Sequence, residues 1–406
     1  MGTPTTQADP GAPSSKPPRE VLAIGGFAHF VHDGFTDCIY VLLPLWAATF
    51  ALNHAEVGTL KMTMSGMMAA MQVPAGLLAE RWGERVVLAL GTMLAGLGFV
   101  LLGWAAGFLS LVTFLAVAGA GCGTQHPLVS SIISKAFDSG RRRAALGTYN
   151  FTGDLGKVAA PAAVGAGAAA YGWPGSTIAY GLFGVAAGLA VFLLLSPRHT
   201  EEPTPRSGPT TGGGPKQGWG ISDRRGYATL AVIGMIDSGA RLGFLTFVPF
   251  LLIEKGAAID TLGLALALVF AGGAAGKLAC GFIAEHVGIL RTVVITEVAT
   301  GALMAAVILL PLVPALVVLP LFGIALNGTS SVLYGTIGDF VGGERQARAY
   351  GLYYTLGIGA GALAPVPFGM VSDQWGVTVA LAAVAVSVSA ILLLCPLLRR
   401  SLARAG

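Results

Sequence analysis

The stretch AHFVHDGFTDCIYVLLPLW, residues 28–46, begins and ends like an apolar helix, yet its middle carries His29, His32, Asp33 and Asp37. His29, Asp33 and Asp37 follow one another at four-residue steps, which lines them along one helical face. Two carboxyls and an imidazole so arranged can take up and release protons, because burial penalises a carboxyl's charged form and histidine titrates near neutrality. Asp33 is the first candidate for that chemistry, Asp37 the second, with His29 assisting. Two further charge pairs stand at helical spacing, Asp154 with Lys157 and Asp237 with Arg241. Each pair could simply neutralise itself, or its cation could meet an anionic small molecule. Gln125, His126, Asn327 and Tyr334 are further polar candidates for binding, although His126 precedes Pro127 and reads equally as packing at a bend. Lys277 could pair with Glu297 or with the charged loop segment that begins at Gly281. No HExxH or GxSxG motif and no Cys/His cluster is present. Neither a catalytic residue, a metal site nor an organic cofactor is therefore expected.

The elements that must position these residues are membrane helices. Of 406 residues, 54% are hydrophobic and only 11% charged, and the mean hydropathy is +0.74. A soluble chain would carry about 25% charged residues. Cys38, Cys122, Cys280 and Cys395 all lie in apolar runs without ligand spacing. Apolar runs near the length of a bilayer crossing predict twelve helices, near 21–50, 56–80, 86–106, 109–137, 143–171, 174–196, 227–253, 259–285, 291–312, 315–341, 347–371 and 376–397. Residues 1–20 read as a disordered tail, 197–226 as a Pro/Gly/Thr-rich linker and 398–406 as a second tail. The two bundles are then 21–196 and 227–397. On this map the tails, the linker and alternate loops hold 19 of the 24 Lys and Arg residues. Lys61 and Lys255 fall to the opposite loops, and Lys157, Arg241 and Lys277 lie within spans. The positive-inside rule then predicts both termini and the linker to be cytoplasmic. The charge balance calls for no nucleic acid, and a monomer in the bilayer suffices.

The two bundles are copies of one another. An offset of 205 residues carries Gly34 to Gly239, Pro44 to Pro249, the segment GLLAERWGER at Gly76 to GFIAEHVGILR at Gly281, and Gly123 to Gly328. From the fifth helix the offset becomes 204 and carries Gly153 to Gly357, Pro161 to Pro365 and Gly172 to Gly376. Six spans per half put both copies in the same orientation, an arrangement of alternating-access carriers.

GLLAERWGER resembles the cytoplasmic loop motif of the major facilitator superfamily, and the resemblance covers nearly the whole chain. It implies an all-α fold of two parallel six-helix repeats, with helices 1, 4, 7 and 10 around a central cavity. It also implies a conformational latch at Gly76, Glu80, Arg81, Gly83 and Arg85, with a second copy at Gly281, Glu285, Gly288 and Arg291. His286 replaces that copy's first basic residue. The fifth helix, GDLGKVAAPAAVGAG, is similar in part to the superfamily's antiporter motif, with Gly153 and Gly156 allowing close approach and Pro161 permitting a bend. AHFVHD…LLPL together with GAGCGTQHPLVSS resembles the fosmidomycin-resistance branch, which implies proton-driven export of a small anionic or amphipathic compound across a bacterial inner membrane. A proton symporter importing a small organic acid would use the same residues. A membrane sensor without transport is the expectation from another class.

Overall fold

The computed structural model describes residues 18–137, 139–195, 221–341 and 346–405. Residues 1–17 of the predicted N-terminal tail and 197–220 of the linker therefore lie outside the described residues, while Pro18–Glu20 form the first turn of the first helix. The described residues are almost wholly helical. α1 spans Pro18–Phe50, α2 His54–Trp82 and α3 Glu84–Leu102. α4 is built from Phe108–Cys122 and Gln125–Ala136. Ser139–Leu194 holds α5 and α6, which run together across a kink at Gly172. The second half follows the same order: α7 Arg224–Glu254, α8 Ile259–Val287, α9 Ile289–Leu309 and α10 Leu312–Thr336, the last prolonged by a 3-10 turn, Ile337–Phe340. α11 comprises Gln346–Leu363 and Pro365–Trp375, and α12 is Val377–Ala405. Twelve helices, six in each half, result among the described residues. α12 continues through the expected C-terminal tail, and α7 begins three residues before its predicted start.

Backbone geometry carries the repeat independently of side-chain identity. Gly83 (φ 83°) and Gly288 (φ 91°) end α2 and α8, and Gly172 (φ 74°) and Gly376 (φ 87°) end α5 and α11. Both pairs obey the offsets found in sequence. A third pair does too: Ala51 (φ 51°) follows α1 where Gly256 (φ 93°) follows α7. Positive φ brings a Cβ against the next carbonyl, which explains glycine at five of these six turns.

The halves meet at the end of the bundle remote from the termini. There Gly58 of α2 lies against the Pro365 carbonyl of α11, Gly369 against that of His54, and Gly263 of α8 against that of Pro161 in α5. At each of these contacts a Cβ would come within 2.3–2.6 Å of the facing oxygen, so small residues set how closely the helices approach. Near the other end, Gly147 of α5 and Gly351 of α11 have nothing within 4 Å of a would-be Cβ. Beneath the sealed end, Phe35, Leu42, Trp46, Phe244, Phe247 and Phe322 form a core that runs through both halves.

Candidate functional site

α1 and α5 pack so tightly that their polar groups are forced together. A Cβ on Gly156 would meet the Phe30 carbonyl, and one on Gly153 would stand 2.5 Å from His29 Nε2 and 2.7 Å from Asp33 Oδ2. The two glycines thus let α5 lie directly over the titratable face of α1. The backbone stays helical through Pro161, and the non-helical residue of this segment is Gly172.

Asp33 is 5% exposed and draws groups from three helices. His29 Nε2 is 3.1 Å from its Oδ2, Lys157 Nζ 3.3 Å from the same oxygen, and His126 Nε2 3.8 Å from Oδ1. His29 Nδ1 lies 2.8 Å from the Tyr149 carbonyl. A carbonyl only accepts, so Nδ1 carries hydrogen and donates to it. His29 Nε2 has no aligned hydrogen-bond partner, yet it faces a carboxylate oxygen. A proton between them would relieve the repulsion of facing lone pairs, so the His29–Asp33 pair is a place where a proton can bind. His32 differs. Thr92 donates its hydrogen to the Leu88 carbonyl, so His32 Nε2, 2.8 Å from Thr92 Oγ1, is the donor there and the ring is a packing group.

Lys157 is the hub. Besides Asp33, its ammonium lies 4.0 Å from Asp37 Oδ2 and 3.9 Å from Asp154 Oδ1. Asp154 in turn takes Lys277 Nζ at 2.5 Å. Lys277 therefore pairs across the halves with α5, and the expected pairing with Glu297 is not formed among the described residues. On the C-terminal side Arg241 Nη2 reaches Asp237 Oδ2 at 3.5 Å and Arg241 Nη1 reaches Asn327 Oδ1 at 3.5 Å. Asp37, Asp154, Lys157, Lys277, Arg241 and Asn327 line one cavity of about 120 Å³ between the halves, with Tyr40 and Phe270 among its apolar walls. Two acids and three bases on that lining leave an excess of one positive charge, which favours an anion.

Other candidates lie elsewhere. Gln125 donates to the Tyr149 hydroxyl at 2.7 Å and so braces His29 from behind. Tyr334 lies among Tyr350, Tyr353 and Tyr354, with ring centres 4.4–6.3 Å apart, outside the lining of the charged cavity. Of the latch residues, Glu80 and Arg81 are exposed and form no ion pair among the described residues. Arg85 donates to the Phe192 carbonyl at 2.8 Å and stacks on its ring. Gly76 and Gly281 lie on α2 and α8, Arg291 is exposed on α9, and the Glu285 side chain lies outside the described residues.

Three functional groups escaped sequence reasoning. Glu84, the next acid in the loop motif, accepts from Lys135 at 2.9 Å and Ser131 at 2.5 Å. Lys61, assigned to a loop, is 3% exposed in α2; it donates to the Thr36 carbonyl at 3.1 Å and its ammonium lies over the Tyr40 ring. Asp373 of α11 accepts from the His54 and Ala55 backbone N–H groups of α2, at 2.6 and 2.9 Å. It thereby caps a helix belonging to the other half. Asn53 and Glu56 complete that helix start with a reciprocal capping box, the signal that sequence did offer.

His29, Asp33 and His126 also bring ligand atoms within 4.8 Å of one another, a set able to hold a divalent cation. The Lys157 ammonium, 3.3 Å from the same carboxylate, already supplies positive charge there.

Two parallel six-helix repeats with ionisable groups gathered between them define a membrane carrier of the secondary-transport class. The family model of the Major Facilitator Superfamily matches residues 25–365, and the chain belongs to that family. It is a multi-pass membrane transporter and not an enzyme. It is 24% identical over 367 residues to the "Probable 4-methylmuconolactone transporter" of Cupriavidus pinatubonensis, covering 87% of this chain and 85% of that one. It is also 24% identical to human "Monocarboxylate transporter 11", covering 87% and 76%. Its fold matches a bacterial homologue of the human lysosomal transporter Spinster, in an inward-facing and unoccupied conformation, with a TM-score of 0.82, 19% identity and coverage of 97% and 99%.

Proposed function

We propose that the protein carries a small organic anion together with a proton, by alternating access between its two halves. The observation that carries this reading is the sharing of Lys157 among Asp33, Asp37 and Asp154. An incoming carboxylate can pair with Lys157 only if one of those acids gives it up. Protonation of Asp33 does so, leaving the ammonium free for the anion. Proton and anion then assist one another's binding, the coupling required for symport. Arg241 and Lys277 offer the anion further cationic contacts, and Asn327 and Asp237 orient Arg241. The names of the two relatives, a probable 4-methylmuconolactone transporter and a monocarboxylate transporter, support a small organic substrate, the second of them an anion.

Export by antiport, suggested by the glycines of α5 and the likeness to the fosmidomycin-resistance branch, needs proton and substrate to exclude one another. That suits a cationic substrate better than an anionic one. The bacterial inner membrane and cytoplasmic termini remain part of this reading through the distribution of Lys and Arg.

Calorimetric binding to the purified carrier at several pH values tests the proposal, using small monocarboxylates that include 4-methylmuconolactone. Symport requires affinity to rise as pH falls, with close to one proton taken up per anion. Affinity that falls with acidification, or proton release on binding, would overturn it in favour of antiport.

A further inference from the structure

Glu297 belongs to α9, which contributes no residue to the charged cavity, and it is 2% exposed. Asp33, Asp37, Asp154 and Asp237 each have a cationic nitrogen within 4.0 Å. Among the described residues Glu297 has none, and its Oε1 is buried without a partner. The charged groups acting on it are Asp237 and Arg241 of α7, and Arg241 is already turned toward Asp237 and Asn327. Thr329 of α10 is its hydrogen-bond neighbour, and its charge also acts on the Cys395 thiol of α12.

The hydroxyls around Glu297 have a direction. Thr296 lies 2.9 Å from the Thr292 carbonyl, which can only accept, so Thr296 donates to it. Thr329 Oγ1 is 2.6 Å from Thr296 Oγ1, and with the Thr296 hydrogen committed, Thr329 donates to Thr296. With its hydrogen committed to Thr296, Thr329 offers Glu297 lone pairs, which a protonated carboxyl meets as donor. A carboxylic acid satisfies every member of the chain. An ionised carboxylate would face those lone pairs, unpaired and buried, at a cost that normally neutralises the group instead.

We infer that Glu297 is a second proton-binding site, lying behind Asp237 and Arg241 in the C-terminal half and holding a proton in this conformation. Asp237 pairs with Arg241, which lines the cavity, and this pair offers the route by which the proton would exchange during the cycle. No substrate is required for this site to be observed, and its existence is independent of whether the carrier takes an anion.

Infrared difference spectroscopy of the purified carrier in lipid, titrated across the neutral range, tests the inference. The wild type is expected to lose a carboxylic-acid C=O band, about one per chain, as pH rises. The band is expected to be absent from Glu297→Gln, displaced in Thr329→Val and present in Asp33→Asn. A wild-type spectrum that matches Glu297→Gln would overturn the inference, as would a Glu297 band that persists unchanged through the titration. Should Glu297→Gln fail to fold, Thr329→Val decides: an unmoved band excludes Glu297 as its source.

Discussion

Lys277 Nζ lies 2.5 Å from Asp154 Oδ1, tying α8 of one half to α5 of the other in the middle of the bundle. The contact closes a chain of charge that runs from Asp33 through Lys157 and Asp154 to Lys277. Removing one member strands a partly buried charge, whereas removing both does not. Asp154→Asn and Lys277→Gln should each destabilise the carrier in thermal unfolding, and the double variant should recover part of the loss. The coupling is expected at about 1–3 kcal/mol. Additive losses would mean that the two groups do not depend on one another.

Asp373 holds the sealed end by capping α2. Loss of an N-cap costs about 0.5–2 kcal/mol, and here the loss falls on one conformation only. Asp373→Ala should therefore open the sealed end, raising the population of the alternate state by roughly 2- to 30-fold. Spin labels at Leu52→Cys and Ala257→Cys in a cysteine-free background would register this as a new, longer distance. An unchanged distance distribution would remove Asp373 from the gate.

Gly156 touches the Phe30 carbonyl, and Gly153 covers His29 and Asp33. Overpacking of this kind costs about 1–3 kcal/mol. Gly156→Ala is expected to lower the unfolding temperature, because its Cβ meets backbone that cannot yield. Gly153→Ala is expected to disturb the pH dependence of transport more than stability, since side chains can shift there. Equal behaviour of the two variants in both assays would contradict this assignment.

Ala51 occupies a turn at φ 51° that its repeat partner fills with Gly256. Ala51→Gly relieves Cβ strain of about 1–2 kcal/mol, less the greater chain entropy of glycine. A net gain of about 0.5–1 kcal/mol in thermal unfolding is expected. A loss would show that the turn tolerates alanine without strain.

Much of this was legible in the sequence, because repeats, membrane spans and helix-ending glycines are local or periodic signals. The offsets that matched Gly83 with Gly288 and Gly172 with Gly376 come back as paired left-handed turns. The face formed by His29, Asp33 and Asp37 was equally local. Partners across helices were not, since spacing along one helix says nothing about what a neighbouring helix brings. Lys277 was thus matched with Glu297 or the second latch instead of Asp154, and nothing along the chain marks Asp373 as the cap of α2. The expected latch residues Glu80 and Arg81 form no ion pair among the described residues, and at the opposite end Asp373 joins the two halves.

The most direct test of the central claim is proton movement in proteoliposomes containing a pH-sensitive dye, after addition of the tightest-binding monocarboxylate. Wild-type carrier is expected to acidify the lumen as the anion enters, faster from an acidic medium. Asp33→Asn should exchange labelled anion across the membrane while moving no protons. Proton movement by Asp33→Asn equal to wild type, or lumenal alkalinisation as the anion enters, would contradict the account.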